Sequence, residues 1–136
     1  MIYMLDTNIL IYLMKHQPPS VAERVDALHD DDELCMSFIT YAELLKGAER
    51  STRKAQVLSR LARLVVQVPV VYANEPAICQ HYAVQFTALK EAGTPIGAND
   101  FWIACHALAI EATLVTHNTK EFTRIKSLCL EDWVSA

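Results

Sequence analysis

The chain opens Met1-Ile2-Tyr3-Met4-Leu5-Asp6-Thr7-Asn8, and the reading of this stretch decides the fold. Ile2 to Leu5 is a short, almost unbroken apolar run that stops at Asp-Thr-Asn. A run that short, closed by polar residues, predicts a strand buried on both faces, as in a parallel sheet. Asp6 then falls just past the carboxyl end of the strand, with Thr7 and Asn8 placed to cap a following helix. Open α/β sheets bind ligands outside the carboxyl ends of their strands, so Asp6 is a candidate for chemistry. It also has a structural reading, as an acid accepting from free N–H groups at a helix start.

Working outward, Ile9 to Lys15 reads as a short helix stopped by Pro18-Pro19. Ser20 to Glu23 reads as a capping box opening a helix to about Leu28. Asp30-Asp31-Asp32 is a polar turn, and Glu33 to Phe38 a second strand. Thr40 to Glu43 has capping-box spacing for a helix through Glu49. Ser51 is placed to cap another, with Val57, Leu58, Leu61, Leu64 and Val65 on its buried face. Gln67 to Tyr72 predicts a third strand, which Pro69 makes short or peripheral.

Pro76 starts a long helix with Ile78, Tyr82, Phe86 and Leu89 on one stripe, ended by Gly93. After the loop Thr94 to Gly97, a largely buried helix begins at Asn99 or Asp100. Thr113 to Thr116 is a fourth strand, Lys120 to Lys126 a short helix, and Leu128 to Leu130 a last strand. Alternating strands and helices predict an α/β/α sandwich with a mostly parallel central sheet, in one domain spanning 1–136.

The 136 residues are 52% hydrophobic with only 3 Gly and 5 Pro, enough apolar material for a core and too much for disorder. No apolar run approaches the roughly 20 residues that span a bilayer, and an immediate first strand leaves no room for a signal peptide. A cytoplasmic location is therefore expected. The cysteines Cys35, Cys79, Cys105 and Cys129 are widely separated, in apolar contexts and without C-x-x-C spacing. Free buried thiols are expected rather than disulfides or zinc ligands. A formal net charge of −4 argues weakly against nucleic-acid binding, although basic residues can still gather on one face.

Acids recur where strands give way to helices. Asp6 follows the first strand, Glu43 lies in the first turn of the helix after the second, Asp100 in the first turn of a buried helix, and Glu121 shortly after the fourth strand. Each has a structural reading: Glu43 completes a capping box, Asp100 and Glu121 complement helix dipoles, and Asn118 is a turn residue. Jointly they converge on one sheet edge, with no Lys or Arg directly beside Asp6, Glu43 or Asp100 in the sequence. Carboxylates held together repel one another, and hard divalent cations with oxygen ligands remove that penalty. The pattern points to metal-dependent phosphoryl hydrolysis.

Four segments carry a resemblance: L-D-T-N at Leu5 to Asn8, S-F-I-T-Y-A-E-L-L-K-G-A at Ser37 to Ala48, P-I-G-A-N-D-F-W-I-A at Pro95 to Ala104, and L-V-T-H-N-T-K-E-F at Leu114 to Phe122. In this order and spacing they resemble the PIN-domain ribonucleases, more narrowly the VapC toxins of bacterial toxin–antitoxin pairs. The resemblance covers nearly the whole chain. By position it implies that Asp6, Glu43 and Asp100 are acidic metal-site residues. Relatives place a fourth acid near Asn118 or three residues later; here that makes Glu121 the candidate and Asn118 its helper. Thr7, Asn8 and Thr116 are supporting residues that orient the acids or a water.

The resemblance further implies an endoribonuclease using Mg²⁺, with Mn²⁺ able to substitute. It would act on RNA, in bacterial members on transfer RNA including the initiator, and so block translation. It also implies a homodimer, a cognate VapB-type antitoxin that occludes the active site, and a higher toxin–antitoxin assembly, with no membrane involved. Lys46, Arg50, Arg53 and Lys54, followed by Arg60 and Arg63, are candidates to meet RNA phosphates, or else a solvated helix face. Two other readings exist. Haloacid-dehalogenase-like phosphotransferases also place Asp after strand one, but want a second Asp where this chain has Asn8. A PIN-like scaffold that only binds a partner would be expected to have lost the acids, which are present.

Overall fold

The structure, a computed structural model, describes residues 1–135. Its strands are β1 (Ile2–Leu5), β2 (Glu33–Ser37), β3 (Val70–Val71), β4 (Thr113–Val115) and β5 (Leu130–Glu131). Its helices are α1 (Thr7–Lys15), α2 (Pro19–Asp26), α3 (Phe38–Glu49), α4 (Lys54–Gln67), α5 (Ala77–Ala92), α6 (Ala98–Ala109) and α7 (Thr119–Phe122). The sheet order is β3-β2-β1-β4-β5, and every pairing is parallel. β1 is therefore the central strand, hydrogen-bonded on both sides with Met4 opposite Cys35 and Leu114.

The alternation of strand side chains divides the core into two layers. Met4, Cys35 and Leu114 face one cluster with Ile78 and Leu89 of α5 and Phe101 and Ile103 of α6. Their neighbours Leu5, Met36 and Val115 face the other, with Leu10 of α1, Val21 of α2, Leu44 of α3 and Leu61 and Leu64 of α4. The α/β/α sandwich read from the alternating elements is the observed architecture. Since all strands run the same way, the residues following β1, β2 and β4 emerge along one edge.

Several local expectations are corrected. Asp6, not Thr7 or Asn8, caps α1, its carboxylate accepting from Ile9 N at 3.1 Å. Thr40 and Glu43 form no capping box: Ser37 caps α3 and accepts from Ile39 N, so the helix begins at Phe38 and Thr40 is buried inside it. Ser20 likewise caps nothing, since α2 starts at Pro19 and the Ser20 hydroxyl donates to Val134 O. α4 begins at Lys54 rather than at Ser51, whose hydroxyl instead accepts from Arg53 N in a local turn. β3 is a two-residue edge strand, as Pro69 indicates, because α4 runs on to Gln67. Gly93 terminates α5 at φ 70°, a left-handed conformation that favours glycine. Cys35 and Cys105 are buried, but Cys79 and Cys129 are exposed; all are free.

The carboxyl-terminal segment closes the sheet beside β5. Trp133 is 1% exposed, lies 5.3 Å from the Tyr3 ring, and donates its indole N–H to Glu131. Arg24 of α2 sits over the indole and also pairs with Glu131 at 2.8 Å.

Candidate active site

Asp6 lies just beyond β1, where its backbone N–H still donates to Val115 O, so β4 fixes its position. Its side chain is 6% exposed. Burial pushes its carboxyl up to about 6; hydrogen bonding from Thr116 and the Ile9 N–H opposes this, and Asp100 and Glu43 add repulsion. Burial also raises Asp100, with Glu121 and Glu43 as the facing charges. The acids thus feel one another at the carboxyl edge of the sheet. Among the described residues, none of the four is in an ion pair with a Lys, Arg or His.

The supporting residues differ in what they do. Thr7, at the first position of α1, donates its hydroxyl to Glu43 Oε1 at 2.7 Å, tying α1 to α3 across the site. Thr116 accepts from the Asn118 N–H at 3.0 Å, which fixes the turn after β4. Asn118 donates its amide to Glu121 Oε2 at 2.8 Å, and Gly97 N–H donates to Oε1 at 3.1 Å. Together they hold the Glu121 carboxyl below its usual range, so it is ionised beside Asp100. Asn8 is exposed on α1 and makes no side-chain hydrogen bond among the described residues.

The basic candidates are spread over α3, the α3–α4 connection and α4. Lys46 lies a turn beyond Glu43 and shares a small cavity with it. Lys54 is engaged with Glu49 at 2.8 Å. Arg50 and Arg53 occupy the α3–α4 connection. Arg60 and Arg63 line a different groove of about 730 Å³ between α1, α2 and α4.

Two contributors were not singled out from the sequence. Gly97 N–H holds Glu121, a role its side chain cannot advertise. Ser37 and His106 stand 2.8 Å apart, both fully buried, and join the start of α3 to α6. Burial lowers the His106 pKa, so the ring is neutral; its Nε2 and the Thr40 hydroxyl have no partner among the described residues. A sequence signal existed: a His inside an otherwise apolar helix needs a polar partner.

The donor set is carboxylate oxygen throughout, and its charge is uncompensated. That fits a hard divalent cation rather than a soft one. Among the described residues, no three Asp, Glu, His or Cys side chains stand close enough to hold an ion as they are. Glu43 and Glu121 are each held by donors of the protein. This suits Mg²⁺, which binds through one or two carboxylates and keeps several waters, better than a closed protein cage.

A parallel sheet with acids gathered at its carboxyl edge defines the class, and the model of the PIN domain matches residues 3–128. The chain belongs to the PIN-domain family. Within it, the chain is 56% identical to ribonuclease VapC1 of Haemophilus influenzae strain R2866 over 133 residues, 98% of each chain. It is 36% identical to the tRNA(fMet)-specific endonuclease VapC of Shigella flexneri, over 96% of this chain and 97% of that one. Among solved structures it superposes on VapBC-1 of nontypeable Haemophilus influenzae with a TM-score of 0.93 at 54% identity, covering 99% of this chain and 100% of that one. VapBC2 of Rickettsia felis, bound to a promoter DNA fragment, gives 0.91 at 38% identity, covering 98% and 99%.

Proposed function

We propose that this chain is a divalent-metal-dependent endoribonuclease toxin that cleaves transfer RNA, the initiator included, and is neutralised by a cognate antitoxin. One observation carries the reading: buried Asp6 stands at the carboxyl end of the central strand with Asp100, Glu43 and Glu121 as facing acids, and no Lys, Arg or His is paired to any of the four among the described residues. Such a cluster is costly alone and stabilised by a cation. The name of the Shigella flexneri relative supports transfer RNA as the substrate.

Asp6 and Asp100 would hold Mg²⁺ or Mn²⁺, with Glu43 and Glu121 completing the negative field. A bound cation supplies Lewis acidity, offsetting charge on the phosphoryl group and acidifying a water. The chain's own residues do the positioning. The Thr7 hydroxyl holds the Glu43 carboxylate. The Thr116 hydroxyl, the Asn118 amide and Gly97 N–H hold the turn carrying Glu121 and keep that carboxylate ionised, so that it adds negative charge beside Asp100.

The groove between α1, α2 and α4 is suited to an antitoxin segment. Leu13, Val25 and Leu64 line it together with the cations Lys15, Arg60 and Arg63, which outnumber the one acid, Asp26. An amphipathic acidic helix is the matching partner. A second apolar groove, between α5 and α6, leaves Phe86 47% exposed and supports self-association as a homodimer. Induced expression of the chain alone should arrest growth, and co-expression with the adjacent small open reading frame should restore it. No rescue, and no binding between the two products, would remove the toxin–antitoxin part of the reading.

A further inference from the structure

Beside Glu43 lies a cavity of about 200 Å³ that the four acids do not account for. We propose that it is a base-binding subsite: one unstacked nucleobase of the RNA substrate lies on the Phe38 ring, while Lys46 takes a flanking phosphate. The proposal rests on the ribonuclease reading and adds to it the residues that grip the substrate.

Three features of the cavity lead there. Its apolar lining is Phe38, Ile39 and Ala42 of α3, and the half-buried Phe38 ring is held in place. That ring packs against His106 at 5.8 Å and 60°, and His106 is itself held by Ser37. A fixed aromatic ring offers a stacking surface without loss of side-chain freedom on binding. Its polar lining includes Lys46, three residues beyond Glu43 and in no ion pair among the described residues, and Asn99, next to Asp100. A cation for phosphate and an amide for a base edge are what single-stranded RNA recognition requires. Finally, Glu43 is one wall, so an occupant is adjacent to the acids. The cavity is smaller than the roughly 300 to 1,000 Å³ that encloses a drug-sized ligand, which suits a single base.

The test measures binding of a full-length initiator tRNA transcript to the intact protein in EDTA, where cleavage does not intervene, with Mg²⁺-dependent cutting of the same transcript as a second readout. Phe38→Leu keeps apolar bulk and removes the ring; it should weaken binding about tenfold while Phe38→Trp stays within about twofold of wild type. Lys46→Ala should weaken binding and reduce the slope of log affinity against log salt by about one. If Phe38→Leu binds as wild type does, the subsite is overturned while the ribonuclease reading stands on the wild-type cleavage. If Phe38→Leu loses affinity only for the antitoxin, the cavity belongs to that partner and the proposal is also overturned. If wild-type protein neither binds nor cuts RNA, the ribonuclease reading fails and the subsite falls with it.

Discussion

At Asp6, burial and charge pull in opposite directions from its role as a helix cap. The carboxyl is lifted from 3.8 to about 6, which corresponds to about 3 kcal/mol of destabilisation above pH 6 in metal-free protein. The sign follows from proton counting. Between pH 4 and 6 the native state binds a proton that the unfolded chain has lost, so stability falls as pH rises through that window. Asp6→Asn keeps the cap oxygen and removes the charge. In EDTA it should raise the melting temperature by several degrees at pH 8 and change it little at pH 4, as read by thermal denaturation. A lower melting temperature for the variant at pH 8 would show that the acid is not strained by its neighbours. Glu121 is the reverse case, an acid kept ionised by two donors. Glu121→Gln should increase the Mn²⁺ concentration needed for half-maximal RNA cleavage and lower the maximal rate; a titration superimposable on wild type would remove it from the site. Asp6, Asp100 and Glu121 could be read from the sequence because each follows a strand or opens a helix, whereas Glu43 was found through a capping spacing that the structure does not use: it lies in the second turn of α3. Gly97 could not be read, because it acts through its backbone N–H.

Among the elements, α3 and α6 carry Glu43 and Asp100, and one buried hydrogen bond joins them. Ser37 caps α3 and contacts His106 six residues beyond Asp100. Ser37→Ala removes both the cap and the imidazole partner, so it should cost about 2 kcal/mol in urea unfolding at pH 7. His106 adds a pH signature of opposite sign to Asp6. Its lowered pKa means that below about 6.5 the unfolded chain takes up a proton the native state refuses, so stability is lost as pH falls. The two trends overlap in wild type, and Asp6→Asn should leave the histidine trend visible by itself. Most helices were readable from apolar spacing, and Gly93 as the end of α5 was too, but the N-caps of α1, α2 and α3 were not. Ser-x-x-Glu and Thr-x-x-Glu spacings suggested starts at Ser20 and Thr40, whereas the chain enters α2 at Pro19 and α3 at Phe38. Local capping signals yielded there to the sheet, which delivers β2 directly into α3.

Across the whole molecule, the parallel sheet does the assembling. Short apolar runs such as Met4-Leu5 and Leu114-Val115 split between two core layers, and this two-sided burial is what an unbroken apolar strand announces. Strand order is not written in any one segment. It follows from which strands pair, and it puts β1 in the middle with Asp6 at the centre of the carboxyl edge. The Phe86 and Trp102 surface was also hidden from the sequence, because a helical apolar stripe reads as core whether or not a partner helix covers all of it.

The most direct test of the assembled acidic site is a cleavage assay on total RNA and initiator tRNA, with Mg²⁺, Mn²⁺ or EDTA, mapping the cut ends. Wild type should give defined transfer-RNA ends with either metal and none in EDTA. Asp6→Asn, Glu43→Gln and Asp100→Asn, each folded by circular dichroism, should cut at least about a hundredfold more slowly. Wild-type rates in those three variants, or undiminished cutting in EDTA, would contradict the account.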